Sequence, residues 1–372
     1  MFRLISVLAV IFGVAPGIRA DDTIRIGEYA SLTGKEATYG QASHQGTLLA
    51  IEQINARGGV LGRKVELLTE DNQSKQGESA TAVKKLISRD KVVAMLGEVA
   101  SIRSLEAAPI LQNAHIPMVS PSSVNARVTE AGNYIFRVCF IDAFEGPLLA
   151  RFAADTLHVR RVAILTSVSN AYSIGMTKYF RERFVAGGGM VAVESRYNEG
   201  DKDFRGQLTA IRAAHVDAIF ASGYYTEAAL ICVQARELGL TIPIFGGDGW
   251  DSPALLEIGG KAMEGTYFAT HFSPDNPSPE VQKFNRDYQA RWGALPDAIA
   301  ALGYDSAVVL CDAIQRAGAA EPEKIRDALA TTRNVVGVTG SITIDAERNA
   351  RKPAVILTVK DGKFQFVAAA KP

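Results

Sequence analysis

Small polar residues follow four short apolar runs of the chain, and their side chains are the first candidates for chemistry. The runs VAMLGEVAS, IPMVSPSS, AIFASGYY and IPIFGGDGW each predict a buried strand of a parallel sheet. In open α/β sheets, ligands bind beyond the carboxyl ends of the strands, where loops and helix N-termini meet. The residues at these ends are Ser101, Ser122, Ser123, Tyr224 and Asp248. Their hydroxyl groups, nearby backbone N–H groups and one carboxylate suit a small zwitterion or a polar acid.

The rest of the chain supplies the strands and helices that would hold those side chains. Apolar runs of strand length alternate with stretches whose apolar residues recur at helical spacing. This βαβα order occurs twice, and it predicts an α/β fold of two lobes, each a doubly wound parallel sheet, joined by a three-crossing hinge. The expected linkers are Val138–Asp142, His271–Pro279 and Val335–Gly340. Lobe 1 is expected to comprise residues 21–140 and 272–337, and lobe 2 residues 141–271 and 338–372.

The first twenty residues differ from the rest of the chain. They contain a basic Arg3, an apolar run from Leu4 to Val14 and a Pro16, and they end in Ala20 before two aspartates. This order is typical of a secretory signal peptide. We therefore expect residues 1–20 to be removed and the mature protein to be periplasmic or secreted. The alternative is that these residues form an N-terminal helix of the domain.

Composition argues against several other functional classes. Lys plus Arg and Asp plus Glu each number 40, so no basic excess indicates a nucleic-acid partner. The chain has neither a G-x-S-x-G nor an H-E-x-x-H motif, and its five histidines are scattered, so we expect no enzyme, metal or cofactor. The three cysteines, Cys139, Cys232 and Cys311, lie in apolar or helical stretches. They are expected to be structural, although the sequence leaves one disulfide possible.

Several longer motifs resemble a known family. The ordered segments GEYASLTG, AIEQINARGGVLGRKVELLTEDNQS, MLGEVAS, PMVSPSS and GYDSA are similar to those of the periplasmic leucine/isoleucine/valine-binding proteins, which are type I solute-binding proteins of ABC importers. The resemblance covers essentially the whole mature chain, and INARGGVLGRKVEL is its most specific part. It implies a two-lobed receptor that closes on an amino acid and delivers it to a membrane permease. A monomer is the plain expectation for such a shuttle.

The resemblance also implies roles for particular residues. The ligand carboxylate would be bound at Ser101, Ser122, Ser123 and Val124, and the ligand ammonium group at Asp248. Aromatic positions that line the cleft match Tyr39, Tyr172 and Tyr224. More ordinary roles remain open for some of them, because Ser101 suits a helix cap and both Tyr39 and Tyr172 suit simple packing.

Three departures from the family pattern affect the expected ligand. Val124 stands where branched-chain binders carry Thr, and Asp248 stands where they carry Glu. Ile299 replaces an aromatic residue that is common at its position, which would reshape the side-chain pocket. These departures weaken the expectation of a branched-chain ligand more than they weaken the expectation of an amino-acid ligand in general. They also leave room for a receptor of the same fold that binds an amide, urea or an aromatic acid, or for a ligand-sensing module with a separate membrane partner.

Overall fold

The computed structural model describes residues 23–370 and contains two large sheets. The first of them is parallel throughout. The predicted signal peptide lies outside the described residues. The strands of this sheet are β1 (Thr23–Ala30), β2 (Lys64–Asp71), β3 (Ala94–Leu96), β4 (Met118–Ser120) and β5 (Ile135–Arg137). They pair in the order β2-β1-β3-β4-β5, so the chain places β2 on one side of β1 and the later strands on the other.

The second large sheet repeats this winding and then adds antiparallel strands. Its parallel part consists of β6 (Arg161–Ser167), β7 (Met190–Tyr197), β8 (Ala218–Ser222), β9 (Ile244–Gly246) and β10 (Tyr267–Thr270). A small antiparallel sheet follows, made of β11 (Val335–Gly337), β12 (Gly340–Ile344) and β13 (Ala350–Arg351). The chain then returns to the second sheet with β14 (Ala354–Lys360) and β15 (Lys363–Ala370). The resulting order is β15-β14-β10-β9-β8-β6-β7, with both added strands antiparallel to their neighbours.

Helices cover both large sheets. They are α1 (Ala37–Ala56), α2 (Glu78–Ser88), α3 (Ser101–Asn113), α4 (Arg127–Glu130), α5 (Asp142–Arg151), α6 (Ala171–Ala186), α7 (Arg205–Ala213), α8 (Tyr225–Glu237), α9 (Pro253–Gly259), α10 (Pro279–Trp292), α11 (Ala298–Ala317) and α12 (Pro322–Ala330). Because helices lie over both faces, the central strands β6 and β8 are buried almost throughout. We call the part built on the first sheet lobe 1 and the part built on the second sheet lobe 2.

The helices α1 and α11 of lobe 1 pack against each other at very short range. A Cβ atom on Gly46 of α1 would lie 1.9 Å from the carbonyl oxygen of Ala300, and one on Gly303 of α11 would lie 2.2 Å from that of Ser43. Only glycine allows the two backbones to approach this closely. Among the described helices, α11 alone is long and apolar enough to cross a membrane, yet it is mostly buried inside the chain's own fold. Helix α11 is therefore a core helix of lobe 1.

The predicted alternation of strands and helices is confirmed, but one predicted linker is wrong. Residues 335–340 form β11 and the turn into β12 instead of an unpaired linker. The strands that follow stay with lobe 1, since the N–H of Arg137 donates to the carbonyl of Arg348 at 3.2 Å and the Thr129 hydroxyl donates to Asn349 at 3.1 Å. The chain therefore returns to the second sheet only between β13 and β14. The lobe boundaries themselves remain predictions.

Two local predictions agree with the structure. Asp361 and Gly362 both have positive φ, at 53° and 69°, as a type I′ hairpin turn between β14 and β15 requires. All three cysteines, Cys139, Cys232 and Cys311, are buried and free, in keeping with a structural role.

Candidate ligand-binding site

A small cavity lies where the carboxyl ends of the two sheets face each other. Lobe 1 contributes residues from the loops after β3 and β4 and from helices α1 and α11, and lobe 2 contributes residues that follow β6, β8 and β9. The lining residues are Tyr39, Val99, Ser101, Ser122, Tyr172, Tyr224, Asp248, Gly249 and Ile299. The space between these side chains has room for about one water molecule. A larger ligand therefore requires the lobes or the side chains to move apart.

The position of this cavity follows from the strand order. In each sheet the winding direction reverses beside one strand, between β1 and β3 in lobe 1 and between β6 and β8 in lobe 2. The loops on either side of such a switch point run in opposite directions and leave a crevice between them. Here the two crevices face each other. The arrangement is that of a binding cleft shared by two lobes.

On the lobe 1 side, the cavity meets the N-terminus of α3. Ala100 is the residue that precedes the helix, and its methyl side chain makes no capping hydrogen bond. Ser101 is the first helical residue, and its hydroxyl oxygen accepts the N–H of Asn125 at 3.2 Å. The first N–H groups of a helix have no partner within it, and they carry partial positive charge. With the hydroxyl of Ser122 alongside, this end of α3 is suited to bind a carboxylate.

A buried carboxyl group fixes the loop that leads into α3. One oxygen of Glu98 accepts the N–H of Ala100 at 2.7 Å, and the other accepts both the N–H and the hydroxyl of Ser31, at 2.9 and 2.6 Å. Burial, together with the nearby Glu36, raises the pKa of Glu98 to about 7. Glu98 therefore holds the backbone of the carboxylate-binding end in place, and nothing in the sequence distinguished it from other loop acids.

Two predicted residues do not line the cavity. The Ser123 hydroxyl lies 2.8 Å from that of Ser104 and donates to the carbonyl of Glu98 at 2.8 Å, inside lobe 1. Val124 is buried, and its carbonyl accepts the N–H of Asp142 at 3.0 Å. Both residues therefore support the loop whose neighbouring Ser122 reaches the cavity.

On the lobe 2 side, the central group is the carboxylate of Asp248. The residue follows β9, and only 4% of its surface is exposed. Its Oδ2 lies 3.0 Å from Nε2 of His271, whereas its Oδ1 is buried and has no hydrogen-bond partner among the described residues. A buried carboxylate oxygen without a partner is energetically costly, so its presence beside a cavity indicates a place for a donor group.

Glu145 stands next to Asp248 and was missed by the sequence analysis. Its Oε1 accepts the N–H of Asp248 at 2.7 Å, and its Oε2 has no partner among the described residues. Burial, the adjacent charge of Asp248 and a side-chain hydrogen bond that protonated Glu145 makes with Asp248 raise the pKa of Glu145 well above its usual range. One signal was available: Glu145 shares a helix face with Leu148 and Leu149, three and four residues later, so an acid in the first turn of α5 points inward.

Three tyrosines form an aromatic wall of the cavity. The ring of Tyr224 stacks on that of Tyr172, with centroids 5.3 Å apart, and meets the edge of Tyr39 at 5.4 Å. The Tyr172 hydroxyl accepts the N–H of Gly249 at 3.1 Å, and the Tyr39 hydroxyl donates to the carbonyl of the same residue. Since Tyr39 belongs to lobe 1 and Gly249 to lobe 2, the wall also joins the lobes. With Ile299 it gives the cavity a largely apolar lining.

The lobes touch directly around the cavity. The Tyr225 hydroxyl donates to that of Thr38 at 3.1 Å, and the Lys35 ammonium group lies 2.5 Å from the Glu199 carboxylate. On another edge, the Asn125 amide donates to the Ala171 carbonyl at 2.7 Å. These bonds join lobe 1 to lobe 2, so the structure has the cleft closed. Within residues 23–370, no group of three His, Cys, Asp or Glu side chains is arranged to hold a metal ion.

Comparison with known proteins places this architecture. A family model described as periplasmic binding protein matches residues 23–363. The leucine-, isoleucine-, valine-, threonine- and alanine-binding protein of Pseudomonas aeruginosa is 31% identical over 329 residues, which are 88% of this chain and 87% of that protein. The crystal structure of a leucine binding protein from Thermotoga maritima has a TM-score of 0.90 at 41% identity, covering 94% of this chain and 99% of that one. A branched-chain amino acid transporter substrate binding protein from Streptococcus pneumoniae, in complex with isoleucine, also has a TM-score of 0.90, at 33% identity over 94% of this chain and 100% of that one.

Proposed function

We propose that this chain, which belongs to the periplasmic binding protein family, is the receptor of an ABC importer. It captures an aliphatic amino acid between its lobes and delivers it to the permease of that importer. The observation that carries the ligand class is the Oδ1 atom of Asp248, which is buried beside the cavity and has no hydrogen-bond partner among the described residues. An ammonium group supplies the missing donors with a charge-assisted bond. A ligand without such a donor leaves this oxygen unpaired in a closed site.

The opposite end of the ligand is proposed to lie against lobe 1. The N-terminus of α3 and the hydroxyls of Ser101 and Ser122 offer donors to a carboxylate. The two charged groups of an amino acid would then be held by different lobes. Because both sets of contacts exist only when the cleft is closed, the ligand favours the closed state by population shift.

The side chain of the ligand is proposed to be aliphatic. Apolar surface around the remaining space comes from Tyr39, Tyr224, Val99 and Ile299. Within residues 23–370, Asp248 is the one charged side chain that lines the cavity. The relatives from Thermotoga maritima and Streptococcus pneumoniae are named for leucine and for branched-chain amino acids, and the Pseudomonas aeruginosa relative is also named for threonine and alanine. This range agrees with an aliphatic pocket of modest size.

The remaining features of the receptor follow from the same proposal. Residues 1–20 would direct export and then be removed, and the mature chain would act as a periplasmic monomer without catalytic activity. The two moving units would be lobe 1 and lobe 2 as predicted from the sequence, with one change. The contacts of Arg348 and Asn349, in the turn between β12 and β13, with lobe 1 favour a third crossing between Arg351 and Ala354.

Titration calorimetry tests this function. The mature chain is unfolded, stripped of bound ligand and refolded, and is then titrated with the twenty amino acids and with acetamide, urea and benzoate as controls. Saturable one-to-one binding of one or more aliphatic L-amino acids is expected. Binding of benzoate, acetamide or urea with silence from every amino acid would overturn the proposed ligand class and support the alternative in which the same fold binds a non-amino-acid ligand.

A further inference from the structure

His271 connects the side-chain carboxylate of Asp248, which lies beside the cavity, to the predicted hinge. It directly follows β10, within the second predicted linker, and its side chain is fully buried. Its ring stacks on that of Phe140, with centroids 3.6 Å apart, and Phe140 belongs to the first predicted linker. Its Nε2 lies 3.0 Å from Oδ2 of Asp248. One imidazole ring therefore contacts two hinge crossings and the carboxylate beside the cavity.

The surroundings of the ring determine which nitrogen carries the proton. The carboxylate of Asp248 can only accept a hydrogen bond, so Nε2 carries the hydrogen that faces it. Nδ1 is buried and has no partner among the described residues. Burial lowers the pKa of His271 to about 4, and the nearby Lys352 acts in the same direction, so the ring is neutral at neutral pH. A neutral donor leaves the negative charge of Asp248 available to a ligand.

We propose that His271 is a positioning residue for ligand binding, which holds Oδ2 of Asp248 so that Oδ1 faces the ligand ammonium group. This inference rests on the proposed function. A carboxylate can rotate about its Cβ–Cγ bond and exchange its two oxygens, and a fixed donor on one of them removes that freedom. Since the ring is itself clamped against Phe140, the orientation of Asp248 is set by the hinge rather than by the loop after β9 alone.

A purely structural role would make a different prediction. A histidine that only fills the hinge core would be replaced well by phenylalanine, which keeps the aromatic stack on Phe140 but has no donor. A positioning histidine would be replaced better by glutamine, whose side-chain nitrogen can reach the place of Nε2. The two variants, His271→Phe and His271→Gln, therefore separate packing from positioning.

The test compares binding of L-leucine with binding of 4-methylpentanoate, which is leucine without its ammonium group. In His271→Phe we expect the preference for leucine to fall at least about tenfold, the value of one charge-assisted hydrogen bond, while His271→Gln retains it within about threefold. In an Asp248→Asn background, His271→Phe should produce no further loss, because it acts through that carboxylate. An unchanged preference in His271→Phe, or equal losses in both backgrounds, would overturn the proposal.

A second measurement needs neither a variant nor a ligand. Nitrogen-15 NMR of the histidine-labelled wild-type chain distinguishes the ring nitrogen that bears hydrogen. A neutral His271 with hydrogen on Nε2 is expected, and hydrogen on Nδ1 alone or a charged ring at neutral pH would overturn the proposal. Failure of the proposed function would appear differently, as absence of leucine or other amino-acid binding in the wild type while the NMR result stands.

Discussion

Replacing Asp248 by Asn removes the charge proposed to bind the ammonium group while keeping the shape of the side chain. In the variant, the amide oxygen can still accept the hydrogen bond of His271, so the amide NH₂ group is turned toward the cavity. An ammonium group then meets donors in place of the unpaired Oδ1. We therefore expect binding to be damaged at this end of the ligand and the rest of the site to be unchanged.

The size of the effect follows from the burial of the carboxylate. A hydrogen bond to a charged group contributes about 1.5–3 kcal/mol, and removing one partner of a buried ion pair costs about 3–5 kcal/mol. Asp248 is 4% exposed, so solvent does little to weaken the interaction. We expect a loss of about 3 kcal/mol, which corresponds to an increase of Kd by roughly a hundredfold or more.

The stability of the fold should change in the opposite direction to the binding affinity. Without ligand, Asp248 is a buried charge with one unpaired oxygen, and its neutralisation removes a desolvation cost. The free energy of unfolding of ligand-free Asp248→Asn should therefore equal or exceed that of the wild type, as measured by urea denaturation. Asp275→Asn, the same substitution at an exposed position, is the matched control and should change neither quantity. A Kd for Asp248→Asn within threefold of the wild-type value would refute the ammonium assignment.

Four further substitutions test closure, the carboxylate end of the site and the buried histidine. In Gly175→Ala the new Cβ would lie 2.9 Å from the amide nitrogen of Asn125 on lobe 1, and also 2.2 Å from Oδ2 of Asp142 within lobe 2. Because the contact with Asn125 exists only when the lobes meet, the closed state should be strained and calorimetry should show Kd raised about tenfold or more. Ser122→Ala should weaken binding severalfold with little change in melting temperature, whereas Ser123→Ala should lower the melting temperature and leave Kd nearly unchanged. His271→Gln should remove part of the loss of stability in acid. The pKa of His271 is about 4 in the folded state and about 6.5 in the unfolded state, so the stability of the wild type falls as the pH drops from 6.5 through 4. The loss amounts to up to about 3 kcal/mol, and the variant should not show it.

Each of these predictions can be contradicted by a specific outcome. Gly206→Ala is the matched helix substitution, since a Cβ there would meet no atom of the described residues within 4 Å. Equal effects of Gly175→Ala and Gly206→Ala on Kd would contradict the expected strain in the closed state. A larger loss of affinity in Ser123→Ala than in Ser122→Ala would contradict the assignment of Ser122 to the cavity. Identical pH profiles of urea denaturation for His271→Gln and the wild type would contradict a neutral buried ring.

The sequence predicted the fold well because the fold depends on local patterns. Apolar runs such as AIFAS have the length and burial of strands covered on both faces, and the Asp361-Gly362 pair has the turn chemistry that a tight hairpin needs. The third linker was wrong for a tertiary reason. Strand β11 has only three residues, and its strand conformation depends on pairing with β12, which no local signal in residues 335–340 announces.

The candidate site was predicted in outline and not in its fine structure. Strand ends identified the loops that reach the cavity, but the sequence could not separate Ser122 from Ser123, because the direction of each side chain depends on the shape of the turn. Glu145 escaped because an acid in the first turn of a helix is usually exposed and simply favours the helix end. His271 escaped for a related reason, since its partner Asp248 is distant in sequence and adjacent only after folding.

The central claim is that an amino acid lies across the cleft with its ammonium group on lobe 2 and its carboxylate on lobe 1. A crystal structure of the mature chain with the amino acid that binds in the calorimetric screen tests this most directly. We expect the ammonium nitrogen within hydrogen-bond distance of Oδ1 of Asp248, and the carboxylate at the N-terminus of α3 beside Ser101 and Ser122. A ligand bound in the reverse orientation, or outside this cavity, would contradict it.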